Sequence, residues 1–151
     1  MSSNPYLELT QLIERLHRHF LDVLRTELHR LGMADINAVQ ALLLFNIGSE
    51  EVVIRDLKDR GYYHGSNVSY NIKKLVENGF LEQERSPHDR RSVKVRLTDK
   101  GRDLCTRIGA LQDGIYNTLD ATGDGSADLE KAAEILRRLD RVWTDYIRYG
   151  E

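Results

Sequence analysis

The stretch IRDLKDRGYYHGSNVSYNIKKLVENGFLEQERSPHDRRSVKVRLTDKG, Ile54 to Gly101, decides the fold. Its middle predicts a helix from Gly65 or Ser66 to near Asn78. Val68, Ile72, Leu75 and Val76 fall at i, i+4, i+7 and i+8, one apolar face at helical spacing. Ser66, Asn67, Ser69, Tyr70, Lys73 and Lys74 lie off that face, and Gly79 follows where a left-handed cap is wanted. Hydroxyls, an amide and lysines opposite a buried face suit the DNA major groove: the polar groups meet base edges and the lysines meet phosphates. Before this helix, Ile54 to Arg60 predicts a shorter one, with Gly61-Tyr62-Tyr63-His64-Gly65 as the turn between. After it, Leu81, Gln83 and Arg85 alternate with Phe80, Glu82 and Glu84. On the return, Val93, Val95 and Leu97 alternate with Lys94 and Arg96, the period of a strand with one buried face. Val52 to Ile54 is a short candidate strand for the same sheet. The hairpin tip, Ser86 to Ser92, carries Arg90 and Arg91. Arginine on a narrow protrusion suits the minor groove, where the potential is most negative. Asp89 is placed to orient Arg91 by a charge-assisted hydrogen bond, and Lys94 joins the DNA-facing candidates.

Charge is arranged to match. The 151 residues carry a net −2, yet Ile54 to Arg107 holds 13 Lys/Arg against 8 Asp/Glu, a local +5, and the remainder carries −7. A basic centre between acidic ends is the footprint of a polyanion site. The length suits one domain, 1–151. A single cysteine excludes a disulfide framework, no apolar run approaches a membrane span, and no secretory leader opens the chain, so a cytoplasmic protein is expected.

Helix, turn, helix and basic hairpin in this order resemble the winged helix-turn-helix of the MarR family of bacterial transcription regulators. The segment DRRSVKVRLTDKG, Asp89 to Gly101, is similar to that family's wing and the start of its next helix. More narrowly, ELTQLIERLHRHFLDVL, INAVQALLLFNIG and RGYYHGSNVSYNIKKLVE resemble an alphaproteobacterial branch associated with control of an L,D-transpeptidase. The resemblance implies a mainly α fold with a small β-wing, a winged helix-turn-helix lobe over 36–101, and flanking dimerisation helices over 6–32 and 104–149. It implies a homodimeric, ligand-responsive repressor on a pseudo-palindromic operator of double-stranded DNA. It also implies a small aromatic or amphipathic effector between the dimerisation helices and the DNA-binding lobe. Candidate lining residues are Leu16, His17, Phe20, Leu43, Leu44, Ile47, Tyr62 and Tyr63. Packing is the first reading of the two tyrosines, with phosphate contact as an alternative.

The flanks carry their own signals. From Tyr6 to about Leu31 an apolar stripe including Leu9, Leu12 and Leu16 runs at helical spacing, on a helix longer than a small domain needs. Part of that stripe is expected to meet a second chain. Asp35 reads as the N-cap of a helix from Ile36 to about Ile47 that is apolar nearly all round and therefore central. Thr98 reads as the cap of a fifth helix. Asp120 to Lys131 imitates a calcium loop, but Lys131 stands where a bidentate carboxylate is needed, so it reads as an acidic, glycine-rich loop capping the last helix. Leu136, Leu139, Trp143 and Ile147 then form an apolar stripe assigned to the dimer interface.

Other chemistry finds little support. His17 and His19 are two apart and point to opposite sides of a helix, so no metal site is assigned, and no cofactor is implied. There is no nucleophile elbow and no phosphate loop, so an enzyme is not expected. Two alternatives stay open: a winged helix used only for protein contact, and a redox-responsive regulator acting through Cys105.

Overall fold

Asn4 starts the first helix by accepting a hydrogen bond from the Tyr6 N–H at 2.9 Å, and Pro5 takes the first helical position, where its missing N–H costs nothing. From there the elements run α1 (Pro5–Arg30), α2 (Ala38–Ile47), β1 (Val52–Val53), α3 (Ile54–Asp59), α4 (Gly65–Glu77), β2 (Leu81–Arg85), β3 (Val93–Leu97), α5 (Asp99–Thr122) and α6 (Ser126–Tyr149). The computed structural model describes residues 4–48, 51–59, 65–88, 92–123 and 125–150, and all side chains among these except those of residues 58, 59, 65 and 66. The fold is mainly helical with one small antiparallel sheet of order β1-β3-β2, as the hairpin alternation and the Val52 strand signal predict. It is a winged helix-turn-helix with helices on either flank.

The chain forms two compact units, 1–108 and 109–151. Every buried apolar side chain among the described residues lies in the first, between Leu24 and Ile108. α2 sits at its centre: Ala41, Leu43 and Leu44 are fully buried, which is what an all-round apolar helix requires. α4 contributes Val68, Ile72 and Leu75, the wing contributes Leu81, Val95 and Leu97, and α5 contributes Leu104 and Ile108. Register across the wing pairs Leu81 with Leu97, Gln83 with Val95 and Arg85 with Val93. Burial thins toward the tip, since Leu81 is buried while Gln83 and Arg85 are exposed. Only the C-terminal part of α1 enters the core. It brings Leu24, Leu28 and the carboxylate of Glu27. Arg30 Nε donates to Glu27 Oε2 at 3.0 Å. That hydrogen bond, together with the charges of Arg30 and Arg107, holds Glu27 below the usual carboxylate range although burial pulls the other way.

Thr98 caps α5 as expected. Its hydroxyl accepts from the Gly101 N–H at 3.1 Å and donates to the Gly79 carbonyl at 2.6 Å. Gly79 itself ends α4 with φ +82°, a conformation that excludes most side chains. Gly101 is required for a different reason: α5 crosses so close to the Phe80 carbonyl that an added Cβ would overlap its oxygen.

Two expectations fail in detail. Asp35 is not the N-cap of α2. Asn37 is, because Asn37 and Gln40 form a reciprocal capping box, each side chain bonding the other's backbone N–H. The acidic stretch after Asp120 is not a long capping loop. α5 continues through Thr122, α6 begins at Ser126, and among the described residues no side chain caps it.

In the second unit, α6 buries none of its residues within the single chain. Leu136, Trp143 and Ile147 are exposed, Ile147 at 81%, and Leu139 is half-buried. On α1 of the first unit, Leu12 and Leu16 are likewise exposed and Leu9 is half-buried.

Candidate nucleic-acid interface

The position of α4 follows from its own periodicity. Val68, Ile72 and Leu75 are 2% exposed or less, which turns the opposite face outward. On that face Asn67, Ser69 and Lys73 are exposed, and Tyr70 is 59% exposed. Lys74 is half-buried. Its Nζ sits 3.5 Å from Glu77 Oε2 and 5.8 Å from the centroid of the Tyr70 ring. Lys73 makes no ion pair among the described residues, whereas the charge of Lys74 is partly offset by Glu77. Ser66 lies on the first turn of α4, but its side chain falls outside the described residues.

Between α4 and β2 runs an open groove of about 400 Å³ lined by Ile54, Ser69, Ile72, Lys73, Val76, Glu77 and Gln83. The wing rises beside it. The Ser86 N–H donates to the Ser92 carbonyl at 3.0 Å, closing the hairpin below its tip, and the His88 N–H donates to Ser86 Oγ at 3.3 Å. Asp89, Arg90 and Arg91 at the tip lie outside the described residues, as do Tyr62, Tyr63 and His64 in the turn before α4.

The wing's outer face carries a charge lattice that the sequence does not display. Arg96 Nε donates to Glu82 Oε2 at 3.0 Å, and Lys94 Nζ lies 3.5 Å from Glu51 Oε1. Glu84 stands directly across from Lys94. Three carboxylates therefore face two cations, and the hydrogen bond that Arg96 donates to Glu82 holds the guanidinium pKa above its ordinary value. The charge of Lys94, like that of Lys74, is therefore partly offset.

The proposed effector-lining residues outside the turn before α4 differ in burial. Leu43 and Leu44 are fully buried and Ile47 is 4% exposed, all within the packed core. Phe20 packs against that core from outside, while Leu16 and His17 on α1 are exposed.

Cys105 is half-buried. Its thiol donates to the Leu44 carbonyl at 3.6 Å, and burial pushes it up to about 11. The nearby Arg102 is engaged by other groups. Its guanidinium donates to the Leu97 carbonyl at 2.9 Å and pairs with Asp99. A redox sensor needs a reactive thiolate in a positive environment; burial instead favours the protonated Cys105 thiol, which lines an open groove beside Arg102.

Two residues at the site escaped sequence reading. Asn71 on α4 and Gln40 on α2 are buried and hydrogen-bonded to each other at 3.3 Å. Polar residues inside an apolar period carry no distinguishing signal until the partner helix is known.

Comparison with known proteins agrees with this geometry. Residues 36–101 match a family model described as a winged helix DNA-binding domain. The exopolysaccharide II synthesis transcriptional activator ExpG of Rhizobium meliloti (strain 1021) is 39% identical over 145 residues, covering 96% of this chain and 75% of that protein. A MarR variant from E. coli, solved with operator DNA, superposes with a TM-score of 0.67 at 25% identity, covering 88% of this chain and 96% of the other. Streptococcus pneumoniae FabT, also solved with DNA, shares the fold with a TM-score of 0.74 at 19% identity over 93% of this chain and 98% of its own.

Proposed function

The chain belongs to the MarR family of winged-helix regulators and is a DNA-binding transcription regulator, and from that premise we propose that it acts as a homodimer on a pseudo-palindromic operator. The observation that carries this reading is the division of α4 into a buried face and an outward face bearing Asn67, Ser69, Tyr70 and Lys73. In the proposed complex that face enters the major groove. Arg90 and Arg91 on the wing reach the minor groove, with Asp89 orienting Arg91. Dimerisation is supported by the apolar residues left exposed on α1 and on α6, each of which gains about 1.5–3 kcal/mol on full burial.

Footprinting of purified protein on genomic fragments tests the proposal. Protection of paired, inverted half-sites about 10–10.5 base pairs apart, or a multiple of that, is the expected result. Binding that shows no sequence preference at physiological salt overturns it.

The direction of regulation has a specific pointer. A relative 39% identical over nearly the whole chain is an activator, so activation stands as a second reading beside repression. Placement of the footprint upstream of the promoter or over it separates the two. Control of an L,D-transpeptidase gene rests on the resemblance of the α1, α2 and α4 segments alone. A small aromatic or amphipathic acid is the proposed effector. To lower operator affinity tenfold it must favour the DNA-incompetent state by about 1.4 kcal/mol, and operator DNA must weaken its binding by the same factor. The class of its relatives supports a regulator without catalytic activity. No described helix is long and apolar enough to cross a membrane.

A further inference from the structure

Two polar side chains stand inside the apolar seam between α2 and α4. Gln40 is 6% and Asn71 8% exposed, and Gln40 Nε2 donates to Asn71 Oδ1 at 3.3 Å. A leucine at position 71 would bury more apolar surface beside Val68, Ile72 and Leu75 and would need no partner. What the hydrogen bond adds is direction, since it is lost when one helix rolls or slides against the other. Gln40 is itself anchored. Its Oε1 accepts from the Asn37 N–H at 3.1 Å, and its own N–H donates to Asn37 Oδ1 at 2.8 Å. A second tether leaves the same corner of the chain for the far end of α4. Asn78 Nδ2 donates to the Asp35 carbonyl at 3.0 Å. Lys100 Nζ bridges Asp35 Oδ2 at 2.7 Å and the Asn78 carbonyl at 2.9 Å, and lies 4.2 Å from the centroid of the Phe80 ring.

We propose that the segment from Asp35 to Gln40 is a two-point mount for α4, and that Asp35, Gln40 and Asn71 are positioning residues that determine operator specificity. The proposal rests on the reading of α4 as the helix that meets base edges. Outward side chains lie about 5–6 Å from the helix axis, so a roll of about 20° carries them about 2 Å sideways. Hydrogen bonds to base edges are best at about 2.7–3.2 Å and do not survive a shift of about 2 Å. Lysines follow a phosphate through the same roll on their flexible stems. A loosened mount therefore removes discrimination between sequences before it removes affinity for DNA.

The test compares three variants with wild type. Gln40→Met with Asn71→Leu removes both partners of the buried hydrogen bond at once; the Asn37 N–H loses its acceptor too, but Asn37 is exposed, so water replaces it. Gln40→Asn with Asn71→Gln restores a donor and an acceptor of the same combined length. Asp35→Ala removes the Lys100 leg of the exposed tether and leaves the Asn78 bond to the position-35 carbonyl in place. Wild-type protein first enriches a duplex from a random library, and each variant is then titrated with that duplex and a scrambled one while its thermal melt is recorded. In the apolar pair, the enriched-to-scrambled affinity ratio falls about tenfold, with scrambled binding within about twofold of wild type. The swapped pair recovers most of the ratio, and Asp35→Ala lowers it about threefold with the fold intact. A wild-type ratio in both the apolar pair and Asp35→Ala overturns the mount, as does an equal loss for both duplexes. Should the apolar pair not fold, the ratio for Asp35→Ala decides alone. If wild type enriches no sequence at all, the base-reading role of α4 falls and takes this proposal with it.

Discussion

Gly101→Ala and Gly109→Ala make the same chemical change eight residues apart in α5, and the structure assigns them opposite signs. At Gly101 the new Cβ would overlap the Phe80 carbonyl oxygen, inside the 3.0 Å that Cβ atoms essentially never breach, and would also meet Phe80 C at 3.3 Å and Leu97 Cδ2 at 3.4 Å. The obstacle is mainly backbone, so no rotamer change relieves it. Either α5 lifts from the wing or Phe80 shifts, and the Phe80 carbonyl is the acceptor for the Thr98 N–H at 3.1 Å. Overpacking costs about 1–3 kcal/mol and a weakened hydrogen bond about 0.5–1.5 kcal/mol. The gain in helix propensity from glycine to alanine returns about 0.5–1 kcal/mol. A net loss of about 0.5–4 kcal/mol remains, which lowers Tm by about 1–16 °C in a chain of this size. At Gly109 an added Cβ meets nothing within 4 Å, so only the propensity gain applies, and Tm rises by about 1–4 °C. Thermal melts followed by circular dichroism, at one fixed protein concentration because dimerisation adds to stability, give both values. A Gly101→Ala protein melting at or above wild type refutes the close-approach argument.

Substituting Asn67 or Tyr70 by alanine is expected to flatten preference among operator variants. Lys73→Ala should weaken all duplexes alike and reduce the salt slope by about 1, with a smaller effect from Lys74→Ala because Glu77 already offsets that charge. Competition titrations at several salt concentrations check both, and a uniform loss for Tyr70→Ala would reassign it to the backbone. Removing the chain from Leu136 onward is expected to yield a monomer or an insoluble protein, which light scattering reads directly; a soluble dimer would mean that α1 suffices. Cys105 should react with thiol reagents far more slowly in the folded protein than in denaturant. Its raised folded value also sets a sign. The protonated thiol is favoured by the fold, so its contribution to stability is complete below about 9 and is lost as pH rises toward about 11. Cys105→Ala should lack that part of the alkaline decline, and matching pH profiles for the two proteins would contradict it.

Most of the architecture could be read from residue spacing because the decisive segments bury a single face. Val68, Ile72 and Leu75 on α4, and Leu81, Val95 and Leu97 in the wing, announce their buried side by period alone. The end signals were less secure where two candidates competed. Asp35 and Asn37 are both good caps, and only Gln40, three residues after Asn37, closes the reciprocal pair. Asp35 is instead held by Lys100, sixty-five residues away, a pairing no local rule foresees. Lys94 shows the same limit. By composition it is a basic residue on a basic hairpin, but the β1–β3 register brings Glu51 beside it, and that register depends on a two-residue strand.

The strand order β1-β3-β2 leaves β2 at one margin of the sheet, with no further strand beside it among the described residues. A regulator that must keep its wing uncovered for DNA cannot hide that margin under a helix, so the strand has to be unattractive to other copies of itself. Its sequence after Leu81 is Glu-Gln-Glu-Arg, and all four side chains are exposed. Any in-register antiparallel pairing of two β2 strands would set like charges close together and would gain no apolar contact beyond Leu81, which is already committed to the core. The same glutamates that dilute the positive field of the wing thus act as a guard against fibrous self-association. Exchanging Glu82 and Glu84 for threonine or valine would strengthen strand propensity while removing that guard.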